Sequence, residues 1–135
     1  MVYIHQAAER TGLSPKAIRY YEQLALVVPE KCPDNGYRLY SRENLSHLCF
    51  LQHARGVGFS VKEAGELLAL YRSTQSHSAK VKALVADKLQ ILAAKRAELE
   101  RLESVLSDLW ASCDGDDCHR CAILERLAGE EFHHV

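Results

Sequence analysis

From Ser78 to Ser112 the chain runs for 35 residues without a proline or a glycine. Nothing in that stretch breaks a helix, so it is predicted to be one continuous helix. At about 1.5 Å of rise per residue this is a rod of roughly 50 Å. Along it Val81, Val85, Lys88, Leu92, Lys95, Leu99, Leu102, Leu106 and Leu109 recur at alternating spacings of four and three, a stripe of seven apolar residues and two lysines. A helix packed back on its own domain is one way to cover that stripe, but the roughly 75 residues before it offer little surface of matching length. A second copy of the chain, giving a coiled-coil homodimer, is the expectation.

Glycine and proline punctuate the part before the rod. Ile4 to Arg10 has helical character, Thr11-Gly12-Leu13 interrupts it, and Ser14-Pro15 offers an N-cap followed by proline at the first helical position of a second short helix reaching about Gln23. Two brief helices around a glycine-containing turn form either an ordinary helical hairpin or a helix-turn-helix whose second helix can enter a major groove. Pro29 to Gly36 is loop-rich, Asn35-Gly36 is a hairpin turn signal, and Tyr37-Arg38-Leu39-Tyr40 suits a strand. Ser41 then caps a helix to about Arg55. After Gly56-Val57-Gly58, the Ser60 to Glu63 capping box opens another, to about Tyr71. The fold class is therefore mainly α, a winged helix-turn-helix head followed by a long helix. The expected division is residues 1–72 for the head, 73–112 for the linker and dimerisation helix, and 113–135 for a thiol loop, a short helix and the tail.

With 47% hydrophobic and 26% charged residues the chain is globular in composition. No apolar run approaches the roughly 18 residues a spanning helix needs, and the N-terminus lacks a signal-peptide pattern, so a cytoplasmic protein away from membranes is expected. Residues 1–60 carry seven Lys/Arg against five Asp/Glu, and residues 61–135 carry ten against thirteen. So mild a bias gives no strong field, and a nucleic-acid-binding head needs its basic residues gathered on one face.

Three of the five cysteines fall within Cys113-Asp114-Gly115-Asp116-Asp117-Cys118-His119-Arg120-Cys121. In a reducing compartment such a cluster points to metal or redox chemistry. Thiolates are soft ligands that suit Cu(I), zinc and iron–sulfur clusters. Two-coordinate Cu(I) needs only two sulfurs, whereas a zinc site could draw on Cys113, Cys118, His119 and Cys121, although His119 beside Cys118 is awkward for one ion. A thioredoxin-type use of Cys118 and Cys121, or a metal buffer, is the alternative of another class, but that motif belongs after a strand in a βαβ unit and here the surroundings are helical. Loop carboxylates Asp114, Asp116 and Asp117 keep the segment solvated. Cys49 reads as a buried structural thiol, His5, His47, His53 and His77 as surface or core groups without a role, and His133 with His134 as a tail.

The residues Leu13-Ser14-Pro15-Lys16-Ala17-Ile18-Arg19-Tyr20-Tyr21-Glu22 and Asn35-Gly36-Tyr37-Arg38-Leu39-Tyr40, the Gly56 to Ser60 joint, the long helix and the thiol loop together resemble the MerR family of bacterial transcription regulators. Within it the chain is most similar to the copper-efflux regulator (CueR-like) subclass, whose metal loop has two cysteines separated by seven residues, as Cys113 and Cys121 are. That subclass has serine at the start of the dimer helix, where divalent-metal members have cysteine, and Ser78 fits. The resemblance implies an antiparallel coiled coil that brings Ser78 of one protomer beside Cys113 and Cys121 of its partner. It implies Cu(I) as the signal, with Ag(I) or Au(I) as mimics, and a regulator, not an enzyme, that bends and untwists promoter DNA so that RNA polymerase transcribes metal-efflux or tolerance genes. Lys16, Arg19 and Tyr20 are carried onto the second helix as DNA contacts, Tyr37 and Arg38 onto the wing, and Arg55 becomes a further phosphate contact. Cys118 and His119 depart from the copper pattern as extra potential ligands and keep a zinc or cadmium sensor in view. Independently of the family, replacing a third thiolate by the Ser78 hydroxyl leaves two sulfurs, which suits a soft monovalent ion over a divalent one.

Overall fold

The computed structural model describes residues 1–115 and 121–129. Its elements are α1 (Ile4–Thr11), α2 (Pro15–Gln23), β1 (Glu30–Lys31), β2 (Arg38–Leu39), α3 (Arg42–Gly56), α4 (Val61–Arg72), α5 (Ser78–Ala111) and α6 (Ala122–Ala128). The chain divides into two compact units, 1–84 and 85–135.

Serine caps set three helix starts in the first unit. The Ser14, Ser41 and Ser60 hydroxyls accept from the backbone N–H groups of Ala17, Asn44 and Glu63 at 3.1, 3.0 and 3.1 Å. The side-chain oxygens of Asn44 and Glu63 accept in return from the N–H groups of Ser41 and Ser60, which closes two capping boxes. α1 stops at Gly12, which takes a left-handed φ of 75° and donates to the Ala8 carbonyl. A Cβ at Gly12 would also lie 2.7 Å from Gln52 Nε2. α2 stops differently. Ala25 adopts φ 60°, its N–H donates to the Glu22 carbonyl and the Leu26 N–H donates to the Tyr21 carbonyl, a Schellman closure made without glycine.

The hairpin pairs Glu30 with Leu39 and Lys31 with Arg38 in antiparallel register. Beyond it the Cys32 N–H donates to the Tyr37 carbonyl, so Pro33 to Gly36 form a four-residue loop rather than a two-residue turn centred on Asn35-Gly36. Val2 bridges Tyr40 through both backbone hydrogen bonds and extends the sheet. Behind the hairpin lies the core, built from Ala7, Ile18, Tyr21, Val27, Tyr40, Leu48, Leu51, Ala64 and Leu68. Val81 and Leu84, in the first turns of α5, pack against it. Gly65 on α4 lets Leu26 lie close, since a Cβ there would meet Leu26 Cδ2 at 3.0 Å.

In the second unit α5 runs to Ala111, and Leu109 is buried. Ser112 Oγ donates to the Leu109 carbonyl at 2.7 Å and Arg126 Nη1 donates to the Asp108 carbonyl at 3.2 Å, a link from α6 to the end of α5. Between these ends Val85, Leu92, Leu99, Leu102 and Leu106 are exposed, so most of the apolar stripe is uncovered within the chain. No helix among the described residues is long and apolar enough to cross a membrane.

Candidate functional site

α2 separates its faces by helical period. Ile18 and Tyr21 enter the core, while Lys16 and, three and four residues after it, Arg19 and Tyr20 stand exposed on the other side. The wing turns Tyr37 and Arg38 outward, and the ring of Tyr37 meets that of Tyr3 edge to face at 6.1 Å. Arg19, Tyr37 and Arg38, three of the six residues expected at DNA, line one cavity together with Tyr3, His5 and Asn35. Lys16 and Tyr20 do not line it, although they share the exposed face of α2 with Arg19. Arg55 lies exposed in the last turn of α3, also away from the cavity.

Arg38 has a partner that no local sequence pattern announces. Its Nε donates to Glu22 Oε1 at 2.6 Å, and the hydrogen bond to Glu22, then its charge, raises the guanidinium pKa further. The other carboxylate oxygen, Oε2, is buried, and so is the Tyr40 hydroxyl. Burial, and then the Glu22 charge, push the Tyr40 phenol up. Tyr40 and Tyr21 both pack in the core.

The thiol site lies in the second unit. Cys113 follows the end of α5, and Cys121 occupies the position before the first turn of α6. Their sulfurs converge to 3.9 Å, far beyond the roughly 2.05 Å of a disulfide. The Gly115 N–H donates to Cys113 Sγ at 3.4 Å, in a turn that Gly115 closes with a φ of 69°. At Cys121 the backbone N–H of Leu124, then that of Ile123, favour the thiolate, and the Cys113 thiol adds to them against the opposing effect of burial. The pKa of Cys121 therefore falls below the ordinary thiol value. Two half-buried sulfurs, one biased toward its anion, form a donor pair for a soft ion. At about 2.3 Å per bond two thiolates on one ion stand about 3.8 Å apart in tetrahedral and about 4.6 Å apart in linear geometry, so these sulfurs are near enough to share an ion and part by about 0.7 Å for a linear one. No group of three His, Cys, Asp or Glu side chains suited to a metal occurs among the described residues. Cys118 and His119, like His133 and His134, lie outside the described residues.

Ser78 belongs to the first unit and is exposed. The His77 carbonyl accepts from the Val81 N–H, so the capping position falls on His77 and Ser78 is the first residue of α5. His77 Nε2 lies 3.0 Å from Ser73 Oγ. His47 is a buried core group 3.8 Å from Glu43, and burial, with Arg72 adding, lowers its pKa. Cys49 is half-buried rather than buried: the core side of α3 belongs to its neighbour Leu48.

Compared with known proteins, residues 3–70 match the model of the MerR HTH family regulatory protein and residues 45–109 that of the MerR DNA-binding region. The chain belongs to the MerR family. It is 41% identical to the HTH-type transcriptional regulator CueR of Escherichia coli, an alignment that covers 93% of each chain. The heavy metal-dependent transcription regulator 1 of Rhizobium meliloti is 39% identical over 87% of this chain and 80% of its own. Among solved structures, the regulator PbrR691 of Ralstonia metallidurans CH34 in complex with lead(II) superimposes with a TM-score of 0.82 at 28% identity, covering 94% of this chain and 99% of that one. This MerR-family chain is thus a DNA-binding transcription regulator and not an enzyme.

Proposed function

We propose that this regulator is a Cu(I) sensor, open to Ag(I) and Au(I) as mimics, in which Cys113 and Cys121 hold the ion and the head binds the promoter of a metal-efflux or tolerance gene. The observation that carries this reading is the convergence of the Cys113 and Cys121 sulfurs to 3.9 Å. Two thiolates around a monovalent ion leave a net charge of −1, whereas a divalent ion usually takes three or four ligands. A relative described as heavy metal-dependent and a lead(II)-bound neighbour of the same fold support metal as the signal.

The working molecule in this reading is an antiparallel homodimer held by the exposed apolar face of α5, with Ser78 of one protomer facing the thiol pair of its partner and excluding a third sulfur. Residues 1–72 serve as the head, 73–112 as the linker and dimer helix, and 113–135 as the sensor. Lys16, Arg19, Tyr20, Tyr37, Arg38 and Arg55 contact DNA, mainly its phosphates, which fix register, while groove edges and deformability carry sequence preference. Metal shifts the balance between two head arrangements, and the promoter is bent and untwisted for RNA polymerase in one of them.

The test is a promoter-reporter assay with Cu(I), paired with X-ray absorption of the loaded protein. Cys113→Ser and Cys121→Ser abolish the metal response while leaving operator binding, and Cys118→Ser leaves the response largely intact. Loss of the response in Cys118→Ser, or three to four donors around a bound zinc or cadmium ion held more tightly than Cu(I), would replace this reading with a divalent sensor using Cys118 and His119. Failure of the wild-type protein to bind any promoter duplex would leave only a thiol or metal-buffer role.

A further inference from the structure

Arg38 sits on the two-residue strand β2 of an exposed hairpin, where a long side chain ordinarily samples many rotamers. It is nevertheless held: Nε is committed to Glu22 Oε1 at 2.6 Å, across to the end of α2. Glu22 also reaches inward: its Oε2 is buried, and its charge acts on the phenol of the fully buried Tyr40. Burying part of a carboxylate costs stability that an apolar side chain there would not. That cost is understandable if the carboxylate aims the guanidinium. With Nε occupied, the four N–H donors on the two Nη atoms remain, and Arg38 lines the same cavity as Arg19. Two guanidiniums around one cavity are suited to a phosphate.

We propose that Glu22 is a positioning residue for DNA binding, a carboxylate that holds the Arg38 guanidinium in place so that Arg38 and Arg19 together receive one backbone phosphate in the cavity between α2 and the wing. This rests on the reading of the head as the DNA-binding surface. Glu22 touches no DNA and acts through Arg38. The opposite possibility is physically distinct: a carboxylate competing with the phosphate for Arg38, which would weaken binding.

The experiment takes the duplex that the full-length wild-type protein selects from a randomised pool and measures affinity by fluorescence anisotropy for Glu22→Ala, Glu22→Gln, Arg38→Ala and the Glu22→Ala/Arg38→Ala double variant. Glu22→Ala weakens binding about tenfold, the size of one lost hydrogen bond to a charged group. Glu22→Gln keeps an acceptor of the same shape and recovers most of the affinity. In the Arg38→Ala background, Glu22→Ala has no further effect, which a general structural role would not produce, and circular dichroism melts check that both Glu22 variants are folded at the assay temperature. Unchanged or tighter binding by Glu22→Ala, or an undiminished loss in the Arg38→Ala background, overturns the proposal while leaving DNA binding in place. If the wild-type protein selects no duplex, the DNA-binding reading of the head falls with it.

Discussion

At the scale of single residues, the thiol site places a group where its neighbours choose its chemical state. Cys121 ionises more readily than an ordinary thiol because the N–H groups of Leu124 and Ile123 favour its anion. The sign follows from linkage: a thiol with a folded-state pKa below its unfolded value contributes stability above the unfolded value and loses it as pH falls through the folded one. Alkylation by iodoacetamide, followed peptide by peptide in metal-free protein, is expected to have a lower pH midpoint at Cys121 in the native chain than in the denaturant-unfolded chain. An equal or higher native midpoint would show that the amides do not act on the sulfur. The thiol cluster itself was legible in sequence, but its residues left Cys113, Cys118, His119 and Cys121 open as donors, and only the family resemblance singled out Cys113 and Cys121. Glu22 was not legible. It lies sixteen residues from Arg38 in the chain, and only the packing of α2 against the hairpin brings the two together.

At the scale of elements, the helix starts were the most readable part of the chain, because a serine hydroxyl that accepts from an N–H three residues on is a local interaction. Ser14, Ser41 and Ser60 cap the helices expected of them. The ends were harder. α2 closes through Ala25 in a left-handed conformation, so the glycine that usually marks such an ending is absent. A Cβ in that conformation costs on the order of 1 kcal/mol, and the greater unfolded-state freedom of glycine returns part of the gain. Ala25→Gly is therefore expected to stabilise the head by roughly 0.5 kcal/mol in urea unfolding, with an unchanged m-value; a destabilised variant would show that Ala25 is not strained. The hairpin was likewise only half legible. Asn35-Gly36 marked the turn, but the Cys32 to Tyr37 hydrogen bond set a wider loop than that dipeptide suggests.

At the scale of the whole molecule, a continuous helix and its repeating apolar face followed from sequence, while the fate of that face depends on packing. The stripe is not uniform: Val81 is taken up by the core of the head and Leu109 is buried near the thiol site, whereas Leu99 and Leu106 are 65% and 64% exposed. Apolar surface of that extent favours a second chain at about 25 cal/mol per Å² removed from water. Placing charge on it with Leu99→Glu/Leu106→Glu is expected to yield a monomer in sedimentation equilibrium and to weaken binding to a two-fold operator by at least about a hundredfold, since two half-sites no longer bind as one unit. A dimer unaffected by both glutamates would place the interface elsewhere.

The chain has a single tryptophan, Trp110, whose indole is 79% exposed and whose carbonyl accepts from the Cys113 N–H. Native indole emission therefore arises wholly from the last turn of α5, three residues before Cys113. An unlabelled sample thus has a built-in optical probe at that end: quenching on cation uptake and a blue shift on burial can be followed in one cuvette without any added dye.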